Sequence, residues 1–542
     1  MAVVKVDKLA RSVAEGPSLM TGGFPTKDWM DVPAVFKPGN YAYTTKPEIL
    51  SYLDSQSGLS LPNSRDWSPE DDDWKLPENW KDIIIQGIAD RLDRFRSLKI
   101  FMDCCVRCGA CADKCHFFLG TGDPKNMPVM RAELLRSVYR QDFTLAGKIL
   151  GKLAGGREMT VGVLKEWFMY AYQCTECRRC SVFCPYGIDT AEITMMLREL
   201  LHLLGIGINW AMEPVANSNR TGNHMGLTPQ AFKGNVDFLC EDIENLTGIT
   251  VNPSFNRKGA EVLFVTPSAD VFAEPGIFTC MGYLLLFEAI GLDYTWSTYA
   301  SEGGNFGLFT SNEVMKKLNA KMYAEAKRLG VKFILGGECG HMWRVVHQYM
   351  DTMNGPADFM EVPKSPITGT VFDNAASTKM VHISEFTADL IKHGKLNLDK
   401  SRNAHIKATF HDSCNPARAM GLLDEPRYIL DHVVDWVEMP ENTIREKTFC
   451  CGSGTALNTD EIMELRMRSG LPRANAVKYV HDKHDVNTLS CVCAIDRATL
   501  TTLCDYWVPQ VQVCGISELV GNALVLEGEQ RQELDEGLRT LV

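Results

Sequence analysis

No stretch of the 542-residue sequence approaches the roughly 18 consecutive apolar residues that a membrane-spanning helix needs. The best candidates, ITMMLRELLHLLGIGINW and MGYLLLFEAIGL, are short or broken by charge. The first thirty residues contain no apolar core of signal-peptide length. Together these absences predict a protein made and kept in the cytoplasm. Basic residues are in deficit, 56 against 68 acidic, for a net charge of −12. Phosphate binding needs a basic surface, so nucleic acid is not the main partner. A nucleotide or flavin fingerprint is also missing. Gly452-Ser453-Gly454 does not follow a strand in a G-x-G-x-x-G context.

Cysteine, by contrast, is abundant, with nineteen in the chain. A reducing compartment disfavours structural disulfides, so metal ligation or redox chemistry is the better reading. The cysteines cluster at 104–115, at 174–184 and between 414 and 493. The length predicts two to four domains. Residues 1–80, rich in Pro and Trp and carrying the acidic run Glu70 to Asp73, predict an extended arm over the protein's own surface or a partner. Residues 81–204 predict a helical domain with cysteine-rich loops, and 205–257 a linker with short elements. From 258 the texture changes to α/β. EVLFVTPSAD, VKFILGGECGH, IKATFHDSC and DVNTLSCVC read as strands. MGYLLLFEAIGL, EVMKKLNAKMYAEAKRLG, DEPRYILDHVVDW and MELRMRSGLPRANAVKYVHDKH read as helices. Strand, helix, helix, strand twice over predicts two related halves, 258–400 and 401–542.

CVRCGACADKC, residues 105–115, has C-x2-C-x2-C-x3-C spacing, and CTECRRCSVFCP, residues 174–185, repeats it. Thiolates suit iron–sulfur clusters. Structural zinc sites instead use separated C-x2-C pairs. In two-cluster ferredoxins the fourth cysteine of each run binds the other cluster. This assigns Cys105, Cys108, Cys111 and Cys184 to one 4Fe–4S cubane. Cys174, Cys177, Cys180 and Cys115 take the other. Cys104 breaks the triplet spacing and is left as a neighbour. His116 stands where the second run has Pro185.

A further constellation comprises Cys414 in HDSCNPAR, Cys450-Cys451-Gly452, and Cys491-Val492-Cys493 at a strand end. Adjacent cysteines diverge too far to share one cubane easily, but they can hold neighbouring irons of a more open cluster. The alternatives are buried core cysteines or a vicinal redox pair. Cys240, Cys280, Cys504 and Cys514 read as core residues.

This Cx35CCGx38CxC pattern resembles the cysteine-rich CCG domain of heterodisulfide reductases, glycolate oxidase iron–sulfur subunits and their relatives. HDSCNPAR is similar to that family's HDPCHLGR stretch. The family motif ends in CxxC; here it ends in CxC, with Ser490 in register with the family's first cysteine. The first half looks like a degenerate copy, with YASEGGNFG at 299–307 in place of FCCGSG and only Glu338-Cys339-Gly340-His341 at the strand end. Within the family the architecture most resembles the DsrK-type subunits, the cytoplasmic iron–sulfur subunits of the membrane complex linked to dissimilatory sulfite reductase.

The resemblance implies one non-cubane 4Fe–4S cluster held by Cys414, Cys450, Cys451, Cys491 and Cys493. It implies an oxidoreductase that passes electrons through two cubanes to that cluster, which reduces a disulfide or trisulfide on a small DsrC-like sulfur carrier. The implied partners are a b-type cytochrome membrane subunit of a quinone-linked complex and that carrier, with peripheral attachment to the inner face of the membrane. Cys339 and His341 would face the substrate. His411 or His341 would deliver protons, or else hydrogen bond a cluster sulfur. Arg418 would hold an anionic group or pair with a carboxylate. The competing reading is a non-catalytic iron–sulfur relay and docking subunit of a flavoprotein or another respiratory dehydrogenase.

Overall fold

A computed structural model describes residues 76–531 except 208, 304, 456 and 459–462. The expected arm therefore lies outside the described residues, save for its last five. The chain divides into two compact units. The first comprises residues up to Ala216 together with Phe306–Val314 and Phe449–Ala476; the second comprises Asn217–Asn305, Met315–Thr448 and Val477 onward. This corrects two expected boundaries. The segment that carries Cys450 and Cys451 belongs to the ferredoxin-like unit, not to the half spanning 401–542. The first half likewise gives up Phe306–Val314.

The first unit is helical. Its main elements are α1 (Trp80–Arg94), α2 (Arg96–Cys104), α3 (Pro128–Phe143), α4 (Val161–Ala171) and α5 (Thr190–Leu203). The single helix that periodicity suggests over 79–103 breaks at Phe95, whose backbone leaves the helical region. Pro128 starts α3, where its missing N–H costs nothing. Thr160 caps α4 by accepting from Val163 N, and Asp189 caps α5 by accepting from Ala191 N. α5 is the centre of the unit and packs against α1, α3 and α4. It is buried on nearly every face, as its apolar composition requires. Leu197, Leu200 and Leu201 are buried, as are Trp167 and Phe168 of α4. Each such side chain contributes roughly 1.5–3 kcal/mol on burial.

The second unit holds two four-stranded parallel sheets. β1 (Val262–Val265), β2 (Tyr294–Trp296), β3 (Phe333–Gly336) and β4 (Met380–His382) form one, in the order β2-β1-β3-β4. β5 (Lys407–His411), β6 (Asp435–Val437), β7 (Thr488–Cys491) and β8 (Gln512–Gly515) form the other, in the order β6-β5-β7-β8. The two orders are the same when each strand is matched to the one four later. The central strands VLFV and FILG are apolar on both faces, as parallel strands covered on both sides must be.

The main helices of this unit are α6 (Pro229–Thr247), α7 (Gly276–Ile290), α8 (Asn312–Leu329, whose first turn belongs to the helical unit), α9 (Gly340–Val345), α10 (Ile383–Lys392) and α11 (Glu425–Val433). They continue with α12 (Met463–His484), which starts in the helical unit, α13 (Ala494–Trp507) and α14 (Ile516–Ala523). α7 packs on α14 so closely that a Cβ at Gly282 would sit 2.1 Å from the Ser517 carbonyl oxygen. Phe264, Phe287, Trp296, Leu284, Phe410 and Leu519 share one core.

Three expectations need correction. Each half has four strands, not two: β2, β4 and β6, at three residues each, are too short to show a period, and the four-residue β8 opens on an exposed Gln512 and ends in glycine. β6 takes the end of what reads as one helix through DHVVDW. The expected linker over 205–257 is largely helical: it contains Asn209–Thr221 and the 19-residue α6.

Candidate iron–sulfur and redox site

The two ferredoxin motifs share a backbone as well as a spacing. Arg107 and Gly109 flank Cys108 with positive φ, and Glu176 and Arg178 flank Cys177 in the same way. Left-handed residues on both sides of the middle cysteine wrap each loop around a common centre. Non-glycine residues rarely adopt this conformation, and three of these four are not glycine. Each loop therefore carries strain of the kind found around bound groups.

The thiols sort into two neighbourhoods. Burial pushes the Cys111 thiol up to about 11, and the nearby charges of Cys184 and Cys105 add to the rise. Cys174 is raised by burial and then by its neighbours, Cys115 among them. Cys180 is raised by burial and then by Cys174, Cys115 and, more weakly, Cys111. Each neighbourhood receives one buried arginine from α3. Arg136 pairs with Glu133 at 3.2 Å and also feels the charges of Cys105 and Cys111. Arg131 bonds Cys115; burial lowers its pKa, but the charges of Cys174, Cys115 and Cys180 leave it raised. Arg131 is further fixed by the carbonyls of Tyr170, Asn126 and Gln173. A buried guanidinium requires a partner of opposite charge. Six of the eight motif cysteines fall in two such groups, which suits anionic iron–sulfur clusters. The sequence carries no signal for the two arginines, which come from a helix between the motifs.

The Phe449–Thr455 loop lies against the second motif within this same unit. Cys450 Sγ is 3.2 Å from Thr175 Oγ1 and 4.0 Å from Cys451 Sγ. His116 Nε2 meets the same Thr175 oxygen at 2.9 Å, and its Nδ1 meets the Ser469 carbonyl at 2.9 Å. One donor atom each of His116, Cys177 and Cys450 falls within a 4.8 Å group, with His116 and Cys450 buried and Cys177 half-buried. Gly452 has φ +106°, and a Cβ there would meet the Gly470 backbone at 2.8 Å. Arg179 stacks on Phe449 with its guanidinium 3.9 Å from the ring centre. Arg198 of α5 bonds the carbonyls of Ala171, Cys174, Leu308 and Thr455. His116, which the motif pattern passes over, is thus a structural link between the two cysteine runs.

In the second unit the remaining candidates sit at the carboxyl ends of strands, where parallel sheets place their sites. Cys339 follows β3 and caps α9. Cys414 follows β5 and precedes a π-turn over Asn415–Ala419. Cys491 ends β7, and Cys493 caps α13. Gly340 N donates to Cys493 Sγ at 3.3 Å, and a Cβ on Gly340 would meet Pro416 at 2.6 Å. The Cys339, Cys414 and Cys493 turns therefore converge.

Burial drives Cys339 well above its usual pKa, with the Cys493 charge next. Cys493 is pushed up to about 12 by burial and then by Asp496. Cys491 rises by burial and then by Asp496, and it neighbours the buried Arg497–Glu338 pair, whose N–O distance is 2.7 Å. Ser490 lies beside Cys514 instead. His411 is fully buried, with Nε2 3.4 Å from Asp496 Oδ2. His341 is buried on α9. Arg418 donates to the carbonyls of Glu446 and Thr448, a structural role beyond the two expected of it. Cys104 is exposed, whereas Cys280, Cys504 and Cys514 are core residues.

Eight cysteines on two matched loops, with a cysteine pair seated on one of them, define an iron–sulfur oxidoreductase subunit. Residues 101–188 match the 4Fe–4S dicluster domain family. The chain is 50% identical over 524 residues to an Hdr-like menaquinol oxidoreductase iron–sulfur subunit 2 of Archaeoglobus fulgidus, covering 93% of this chain and 94% of that one. It is 50% identical over 488 residues to the corresponding iron–sulfur subunit of Archaeoglobus profundus, covering 86% and 88%. It is 26% identical over 434 residues to one subunit of the dihydromethanophenazine:CoB–CoM heterodisulfide reductase of Methanosarcina mazei, covering 79% and 95%. The chain belongs to the family of Hdr-like menaquinol oxidoreductase iron–sulfur subunits. No helix among the described residues is long and apolar enough to cross a membrane.

Proposed function

We propose that the chain is the electron-transferring and catalytic subunit of a quinol-linked membrane complex of the DsrK type, and that it reduces a disulfide or trisulfide on a small DsrC-like carrier. The observation that carries this reading is the placement of Cys450 beside Cys177 and His116. Cys105, Cys108, Cys111 and Cys184 hold one cubane, and Cys174, Cys177, Cys180 and Cys115 the other. Cys414, Cys450, Cys451, Cys491 and Cys493 hold the non-cubane cluster, on the strength of their motif. When bound, these groups supply one-electron transfer and an open iron position for a substrate sulfur.

The chain's own residues do the rest. Arg131 and Arg136 counter the anionic charge at each cubane. With Cys177 and Cys450 ligating different clusters, only the space around His116 and Thr175 separates the two ligand sets. His411, 3.4 Å from Asp496, or His341 delivers protons or else hydrogen bonds a cluster sulfur. Cys339 and His341 line the turn that meets Cys493. A b-type cytochrome subunit is the proposed membrane partner, and attachment is peripheral. Substituting Cys450→Ser tests this. Loss of carrier reduction with both cubane signals intact supports catalysis here. Normal trisulfide reduction by the variant would sink it.

A further inference from the structure

The helical unit carries an apolar feature that the cluster chemistry does not use. After α3, Leu145–Leu150 forms a short helix and Gly151–Ala154 a 3-10 turn. Leu145, Ile149, Leu150 and Leu153 are 77%, 71%, 53% and 90% exposed. Singly exposed apolar residues need no explanation, but four gathered in one short segment do. Lys148 and Lys152 are interleaved with them and exposed. From Leu145 to Arg157 the sequence has three cations and no acid, on a chain whose net charge is −12. Neither lysine forms an ion pair among the described residues, although Asp142 feels the charge of Lys148.

The tip does not project because its base is loose. Thr144 Oγ1 accepts from Gly147 N at 3.0 Å and donates to the Arg140 carbonyl at 2.8 Å. Arg140 Nε donates to the Gly155 carbonyl at 3.0 Å, and Arg157 N to the Ser137 carbonyl at 3.0 Å. The polar backbone is satisfied below, and the apolar side chains are held out above.

Leucines interleaved with lysines at a firm tip suit the interface of an anionic bilayer. Apolar groups enter the acyl boundary while ammonium groups meet headgroup phosphates. Repulsion from the net negative charge fades over a Debye length of about 8 Å, so contacts at the tip decide. We propose that Leu145, Ile149, Leu150 and Leu153 insert into the surface of an anionic membrane, with Lys148 and Lys152 on its phosphate layer. This inference stands apart from the cluster assignments and fails or survives without them.

The test is cosedimentation of the intact, cluster-loaded chain with vesicles of phosphatidylglycerol mixed with phosphatidylcholine. The unaltered chain binds, and binds less to phosphatidylcholine alone. Ile149→Ser with Leu153→Ser, and separately Lys148→Glu with Lys152→Glu, each reduce binding by about tenfold or more. All four positions are exposed, so circular dichroism and cluster absorbance stay unchanged. Equal binding by the variants overturns the proposal. So does failure of the unaltered chain to bind, which would leave the tip to a protein surface.

Discussion

Thr175 serves two partners with one hydroxyl. His116 Nδ1 faces a carbonyl, so it must donate, and in the neutral ring Nε2 then accepts from Thr175. The Cys450 sulfur meets the same oxygen. Thr175→Val leaves a buried imidazole nitrogen unsatisfied and is expected to cost about 1–3 kcal/mol in urea denaturation, with Thr175→Ser recovering most of it. An unchanged midpoint for the valine variant would show that the link is not a working one. Gly452 has a different constraint. Its left-handed backbone and the 2.8 Å approach to Gly470 leave no room for a side chain. Gly452→Ala is expected to destabilise the loop by about 1–3 kcal/mol and to lower iron content measured per chain. At this scale the sequence is most legible where ligands are local. The cubane cysteines stand in fixed short spacings, so the motif names them directly. Arg131, Arg136, Thr175 and His116 act across the fold and have no spacing to betray them.

At the scale of elements, α5 does two jobs. Arg198 ties the helix to the second motif and to the Thr455 carbonyl, and its guanidinium lies 3.4 Å from the buried Glu176 carboxylate. Arg198→Met strands that charge and is expected to cost about 3–5 kcal/mol, with loss of cluster from the second motif visible in absorbance.

His202, near the end of the same helix, has its pKa lowered to about 4 by burial. Its unfolded value lies near 6.5, so between those values the unfolded chain binds a proton that the folded chain does not. Stability from this group is whole above about pH 6.5 and falls as pH drops towards 4, by about 1.4 kcal/mol per unit. His202→Leu is expected to flatten that part of the acid limb in denaturation measured against pH; an unchanged slope would contradict it.

Elements differ in how well the sequence displays them. β1 (VLFV) and β3 (FILG) stand out as apolar runs, whereas β5 (KATFH) and β7 (TLSC) mix apolar with polar residues. Their neighbours β2, β4, β6 and β8 are three or four residues long and gain their identity only by pairing. α6 was legible in principle, since Phe232, Val236, Leu239 and Ile243 share one face, with Thr228 and Gly248 at the ends. The surrounding Asn, Gly and Pro residues masked it.

Over the whole molecule, chain order and spatial grouping part company. The two halves of the α/β unit repeat one sheet order, and the sequence carries that repeat in its alternation of strands and helices. It does not disclose that 449–476 belongs with the helical unit, because a long excursion leaves no local pattern at its ends. That excursion is what sets Cys450 beside Cys177, and the functional reading rests on it.

The most direct test is EPR on the anaerobically purified, oxidised chain before and after addition of a small carrier bearing a disulfide or trisulfide. Oxidised cubanes are silent. A paramagnetic signal in the oxidised state that changes with carrier, and is missing in Cys450→Ser, is the predicted result. A silent oxidised state, with only two cubane signals appearing on reduction, would contradict the account and leave the chain an electron relay.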